Sequence, residues 1–243
     1  MILEYRFYLI LLLTEINIMN QQIIQGVRFH PDQMEEGSYL CHINAFQHFT
    51  QLSFSKPITF FVGENGSGKS TLLQAMAIAS HFNPEGGTRN YHLSTYQSNT
   101  NLNQAITLIK GSRKEKWGYY FRAESFYNVA TMEEEYALER SEHYHQMSHG
   151  ESFLTLIQKE FCDNGLYFLD EIEASLSPQR QLTLMAEIYR YTKRSVFLIH
   201  PFFLPCLMLI SISLMIQGFV HVHMKKRIAI RLPRCLWRIV QAY

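Results

Sequence analysis

The sequence is short of cysteine, short of net charge and, in its last fifth, wholly without acid. Each shortage excludes something. Its four cysteines, Cys41, Cys162, Cys206 and Cys235, are scattered and form no C-x-x-C pair. In a chain of 243 residues this is neither a disulfide framework nor a zinc site, and it suits a reducing cytosol, so a cytoplasmic location is expected. Lys and Arg total 22 against 21 Asp and Glu, a formal net charge of +1. That balance removes any whole-chain case for nucleic acid or acidic lipid as partner. The first 18 residues hold an apolar run at 7–13 but no basic segment before it and no small-residue cleavage site, so no signal peptide is read. Met19 opens more ordinary sequence; residues 1–18 are expected to be an N-terminal extension from an over-long start, with a short buried helix as the alternative.

What is present suits a folded protein. Hydrophobic residues make up 47% and charged residues 18%, a composition that can bury a core. The charge is uneven, however. Residues 196–243 contain six Lys or Arg and no Asp or Glu, which leaves 16 basic and 21 acidic residues, a net of −5, in the first 195. The expected organisation is an acidic body over 19–195 and a distinct apolar, basic tail over 196–243.

One stretch of the body carries phosphate chemistry. Ile58-Thr-Phe-Phe-Val62 is a β-branched and aromatic run that predicts a buried strand. It leads into Gly63-Glu64-Asn65-Gly66-Ser67-Gly68-Lys69-Ser70-Thr71, a match to G-x-x-x-x-G-K-[ST] at every fixed position. Leu72, Leu73, Met76 and Ala77 then recur at helical spacing. Strand, glycine loop and helix in this order predict a P-loop, hence ATP and Mg²⁺ as cofactors. Gly63, Gly66 and Gly68 allow successive N–H groups to turn toward the β-phosphate, with Glu64, Asn65, Ser67 and Thr71 completing the cradle. The helix start adds its positive end. Lys69 would act on the β- and γ-phosphates, and the Ser70 hydroxyl would ligate Mg²⁺.

A second apolar strand is predicted at residues 165–169, ending in Asp170-Glu171. In P-loop enzymes a strand-terminal Asp holds the metal, directly or through water, and a Glu immediately after it can polarise the attacking water. Asp170 is therefore the second expected metal ligand, and Glu171 with Lys69 the expected catalytic pair.

Between these elements, Ser148-His149-Gly150-Glu151 resembles the signature motif of ATP-binding-cassette ATPases, standing where Ser-Gly-Gly-Gln is common. A Ser, a Gly and a helix N-terminus form an anion nest suited to a γ-phosphate. After Glu171, residues 172–178 resemble the family's D-loop, with Ser177 as N-cap, Pro178 as first helical residue, and Leu182, Met185 and Tyr189 as the expected buried stripe. The resemblance covers residues 21–194 and is closest to compact bacterial cassette proteins of the AAA family ATPase kind. These are distantly similar to the heads of chromosome-maintenance and double-strand-break-repair ATPases. It implies an α/β P-loop fold, a mainly parallel sheet flanked by helices with a small helical subdomain. It also implies a homodimer or a partner cassette, because the P-loop of one cassette faces the signature of another across ATP. Lys69 and Ser148 are too close in sequence for a long coiled-coil arm between them, and Ile172 stands where the family usually has Pro.

Glu124, in Arg122-Ala-Glu124-Ser, stands where cassette ATPases place a Mg²⁺-sensing glutamine, or else makes a salt bridge at a helix start. His143, His145 and His149 lack a fourth ligand and read as loop residues beside the signature. Arg113-Lys-Glu-Lys116 reads as a hairpin or solvated turn.

The tail departs from the family. Ser195 to Pro201 begins the expected strand before a switch histidine, with His200 imitating that histidine, but the acid-free apolar sequence then continues to Lys225. Residues 202–220 with the basic flank behind them fit a membrane span, which would make a tail-anchored ATPase. A shifted reading of the codons for residues 198–212 permits His-Ser-Pro-Phe-Leu-Leu-Ala-Leu-Pro-Asn-Ala-His-Ile-Tyr, which resembles the missing switch segment. The expectation is therefore a frameshifted tail from about Ser195, and a membrane partner only if the tail is genuine.

The leading functional expectation is Mg-dependent ATP hydrolysis by a cassette that dimerises on ATP. The alternative is a nucleotide clamp, or a truncated remnant, with little turnover. A P-loop kinase is disfavoured because it has no use for a signature acting in trans. DNA repair and defence are associations at the level of fold alone, and neither a nuclease site nor a basic DNA track accompanies them.

Overall fold

Unbroken apolar runs make strands covered on both faces, because successive side chains of a strand point to opposite sides. The computed structural model describes residues 22–34, 37–43, 46, 50–54, 56–62, 66–90, 101–126, 128–129, 131, 149–191, 195–200 and 220–223. Their main elements are β1 (Ile24–Phe29), β2 (Gln51–Ser53), β3 (Ile58–Val62), α1 (Lys69–Ala79), β4 (Ile106–Lys110), β5 (Trp117–Arg122), α2 (His149–Glu160), β6 (Gly165–Asp170), α3 (Pro178–Tyr191), β7 (Val196–His200) and β8 (Val220–His223). Met19 with the extension before it, and residues 201–219 and 224–243 of the tail, lie outside the described residues.

The strands form two sheets. A three-stranded antiparallel sheet has the order β2-β1-β4. The larger sheet has the order β5-β6-β7-β3-β8, and all of its pairings are parallel. Alternation along the central strands divides the core between its two faces. Phe61, Tyr120, Leu166 and Phe168 meet Leu72, Leu73 and Met76 of α1, along with Ile24, Val27 and Phe29 of β1. Phe60, Tyr119, Phe121, Tyr167 and Leu169 meet Phe153, Leu156 and Ile157 of α2, along with Leu184 and Ile188 of α3. Each such side chain stabilises the fold by roughly 1.5–3 kcal/mol on burial. The sheet is therefore the wall between two aromatic-rich layers.

Three sequence expectations meet this structure differently. The stripe Leu72, Leu73, Met76 and Ala77 is buried in α1, as its spacing predicts. The stripe of α3 is not the expected one. Met185 is buried, but Leu182 and Tyr189 are 59% and 45% exposed, and Leu184 and Ile188 take their place inside. Apolar residues occur on several sides of this helix, and contact with the α2 layer decides which side turns inward. The Arg113–Lys116 run is no hairpin, since β4 and β5 belong to different sheets. Lys114 and Lys116 are exposed, in keeping with the solvated alternative, while Arg113 Nε donates to Asn164 Oδ1 at 2.5 Å and Glu115 pairs with Arg89.

Parallel strands bring their carboxyl ends to one edge, where crevices in open α/β sheets form. β7 lies between β3 and β6, so it extends the centre of the sheet past residue 195. β8 pairs with the other side of β3, with Thr59 opposite Val220 and Val62 opposite His223. Two short pieces of the compositionally distinct tail thus belong to the main sheet. Among the described residues no helix is long and apolar enough to cross a membrane.

Candidate functional site

Beyond β3 the described chain resumes at Gly66 with φ 75° and passes Gly68, at φ 90° and ψ 13°, before α1 opens at Lys69. Both glycines occupy backbone conformations that cost an L side chain strain. Gly68 is also confined: a Cβ there would lie 2.9 Å from the Phe46 ring and 3.1 Å from Ile43 Cγ2. This path delivers the first turn of α1, whose leading N–H groups point out of the helix end rather than to a carbonyl within it, to the carboxyl end of β3. Thr71 is half-buried on that turn. Gly63, Glu64 and Asn65 lie outside the described residues.

Lys69 is buried, and its Nζ donates to Ser67 Oγ at 3.5 Å. Burial lowers its pKa below the ordinary lysine value, against the opposing pull of Glu171 and Asp170. A buried ammonium under that penalty gains from any polyanion that enters.

β6 ends in Asp170, whose side chain is 8% exposed. Glu171 follows at φ 55°, in the left-handed region. For a glutamate that conformation costs roughly 1–2 kcal/mol. It swings the chain from β6 into a 3₁₀ turn, Ile172–Ser175, where the Ala174 amide donates to the Glu171 carbonyl at 3.1 Å. Ser70, Asp170 and Glu171 then line one open cleft of about 500 Å³, together with Arg122, Ala123 and Glu124 from the end of β5. The expected metal ligands and the expected water-activating carboxylate therefore come together, although Ser70 lies far from Asp170 in sequence.

Arg122 is the site residue that sequence reasoning misses. It stands in the Arg122-Ala-Glu124-Ser run that resembles the family, and it closes an otherwise apolar strand, but sequence reasoning gives a role only to Glu124. It stands opposite Asp170 in the β5–β6 register. It donates to the Pro84 carbonyl at 3.1 Å and to Glu124 Oε2 at 2.5 Å, with Nε 3.8 Å from Asp170 Oδ2. Burial works against its charge, but Tyr120, Asp170, Glu124 and Glu85 outweigh burial and raise its pKa. Glu124 thus makes the salt bridge that was one of its two expected roles, and it also lines the cleft. Beneath them the fully buried Tyr120 hydroxyl has its pKa pushed well up, by burial first and by Asp170 next.

The donor set fits magnesium. A serine hydroxyl and a carboxylate are hard oxygen ligands, suited to Mg²⁺ rather than to softer metals. Among the described residues no group of three or more His, Cys, Asp or Glu could hold a metal by itself. A bound Mg²⁺ would need phosphate oxygens to complete its shell, which is how Mg²⁺ sits in nucleotide sites.

Of the signature residues, Gly150 is buried and Glu151 exposed on the first turn of α2. Glu151 Oε1 accepts from Arg180 of α3 at 2.7 Å. Neither is among the described residues that line the cleft. Ser148, His143 and His145 lie outside the described residues, as does the side chain of His149. The backbone of His200 lies opposite Asp170 in the β6–β7 register.

The family model of the AAA domain matches residues 39–190, well over half of the chain. The chain belongs to the AAA domain family. The matched span runs from before the glycine turn through α1, β6 and Asp170 into α3, so it contains every element that builds the cleft. This AAA domain is accordingly a P-loop nucleotide-binding domain of the ATPase type, built on a mixed α/β fold. No curated protein matches the chain.

Proposed function

We propose that this AAA domain is an ATP-binding-cassette-type ATPase that binds Mg-ATP, closes with a second copy of itself and hydrolyses the γ-phosphate. The observation that carries this reading is the convergence of Ser70, Asp170 and Glu171 on one cleft beside Lys69. In this reading Gly63, Glu64, Asn65, Gly66, Ser67, Gly68 and Thr71 cradle the phosphates. Lys69 neutralises the β- and γ-oxygens, and the counter-charge offsets the burial of its own ammonium. Ser70 and Asp170 hold Mg²⁺, which when bound spreads the charge developing on the γ-phosphate. Glu171, fixed by its left-handed backbone at the lip of the cleft, orients a water and accepts its proton.

Dimerisation is part of the proposal because Gly150 and Glu151 stand apart from the described lining of their own cleft. With Ser148 and His149 they would meet the γ-phosphate held by the other copy, in a two-fold arrangement. The functional unit is the body at 19–195 together with β7, at work in the cytoplasm. A second reading, a clamp that binds but scarcely hydrolyses, is favoured by the acid-free sequence that follows β7 where this type of ATPase carries its switch segment.

The test is the mass of the Glu171→Gln variant in solution. With Mg-ATP it is expected to double from one chain to two, and a Ser148→Arg change should prevent the doubling. A variant that binds ATP and stays a single chain contradicts the dimeric reading.

A further inference from the structure

The carboxylate at the end of β6 is buried yet meant to receive a cation, and a buried charge needs a partner before the ligand arrives. Arg122 has the placement of such a partner. It sits on the neighbouring strand in register with Asp170, and both side chains line the same cleft. Two of its nitrogens are committed elsewhere: Nη1 donates to the Pro84 carbonyl and Nη2 to Glu124. The atom facing Asp170 is Nε, which has no hydrogen-bond partner among the described residues and lies 3.8 Å from Oδ2. That distance is too long for a hydrogen bond and short enough for strong charge coupling. Arg122 thus adds positive charge beside Asp170, alongside that of Lys69, without chelating it.

We propose that Arg122 is a positioning residue that competes with the divalent cation for Asp170, weakening metal binding until a nucleotide brings phosphate oxygens to the cleft. The anchors at Pro84 and Glu124 suit this role, because they hold the guanidinium at its distance and keep it from collapsing onto the carboxylate. The chemistry resembles a placeholder ion: one fixed positive charge raises the cost of adding a second beside the same carboxylate. Arriving phosphates reverse the local sign and remove that cost. The inference rests on the reading of Asp170 as a metal ligand.

The test uses the full chain and Mn²⁺ as probe, with free Mn²⁺ followed by electron paramagnetic resonance. Without nucleotide, Arg122→Gln and Arg122→Met are expected to bind Mn²⁺ about tenfold more tightly than the unmodified chain. Arg122→Lys, which keeps a positive charge, is expected to stay within about twofold. With ADP present the difference should shrink toward nothing. Unchanged or weaker Mn²⁺ binding in whichever neutral variant folds overturns the inference, and so does a Lys variant that gains as much as the neutral ones. A purely structural Arg122 would lower the melting temperature without tightening Mn²⁺ binding. Asp170→Asn separates the two levels of the account. If it leaves Mn²⁺ binding in the presence of ADP intact, the metal-ligand reading itself fails. If it abolishes that binding while Arg122→Gln shows no gain, the inference alone fails.

Discussion

Replacing Gly66 and Gly68 by alanine, one at a time, separates backbone strain from crowding within the same turn. At Gly66 the backbone has φ 75°, and a Cβ would meet none of the described residues within 4 Å. The cost is then conformational alone, roughly 1–2 kcal/mol for the left-handed region, less roughly 0.4–1 kcal/mol regained because alanine restricts the unfolded chain. A net loss of about 1 kcal/mol is expected. At Gly68 the same strain applies at φ 90°, and the new Cβ would also press to 2.9 Å on the Phe46 ring and 3.1 Å on Ile43. Phe46 is buried at 2% exposure and cannot swing into solvent without emptying its site. Overpacking of this kind costs roughly 1–3 kcal/mol more, for a total near 3 kcal/mol. Urea unfolding of the two variants, read with unchanged slopes, gives both numbers. Phe46→Leu should recover part of the loss in Gly68→Ala and none in Gly66→Ala. Equal losses at the two positions, or a larger loss at Gly66, would refute the reasoning.

Burial holds the folded-state pKa of Lys69 below its unfolded value, so the folding cost of its charge is present at neutral pH and fades as pH rises toward the ordinary lysine value. Lys69→Met should therefore be more stable than the unmodified chain at pH 7, by an amount that shrinks by pH 10 in paired urea titrations, while nucleotide affinity collapses. Glu171→Asn should relieve left-handed strain and hold or raise stability by up to about 1 kcal/mol in thermal melts. The same change should lower turnover by roughly 10²–10⁴-fold. On α3, Leu182→Ala is expected to change stability by less than about 0.5 kcal/mol and Leu184→Ala to cost about 2–5 kcal/mol, which denaturant midpoints would resolve.

The readable and unreadable parts of this protein divide by range. The turn into α1 and the Asp170–Glu171 corner are local: glycines with positive φ, a lysine, a hydroxyl and two carboxylates announce themselves within a few positions. Arg122 is visible in the Arg122-Ala-Glu124-Ser run, but its role is not, because that comes from the pairing of β5 with β6, which brings it opposite Asp170 from far away in the chain. The face of α3 fails for a related reason. Leu182, Leu184, Met185, Ile188, Tyr189 and Tyr191 point several ways around the helix, and only the packing against Phe153 and Ile157 of α2 selects Leu184 and Ile188. The Arg113–Lys116 run looks like a turn between neighbours, yet it connects two sheets and is held by Asn164 and Arg89. The strand expected from Ser195 is present as β7 between β6 and β3, although the composition that sets the tail apart does not mark it.

Steady-state ATP hydrolysis by the purified chain, measured across protein concentration with Glu171→Gln alongside, tests the central claim most directly. A cleft completed by a second copy predicts Mg-dependent turnover that rises faster than linearly with concentration and disappears in the variant. Turnover that is strictly linear in concentration, or that Glu171→Gln leaves unchanged, would contradict it.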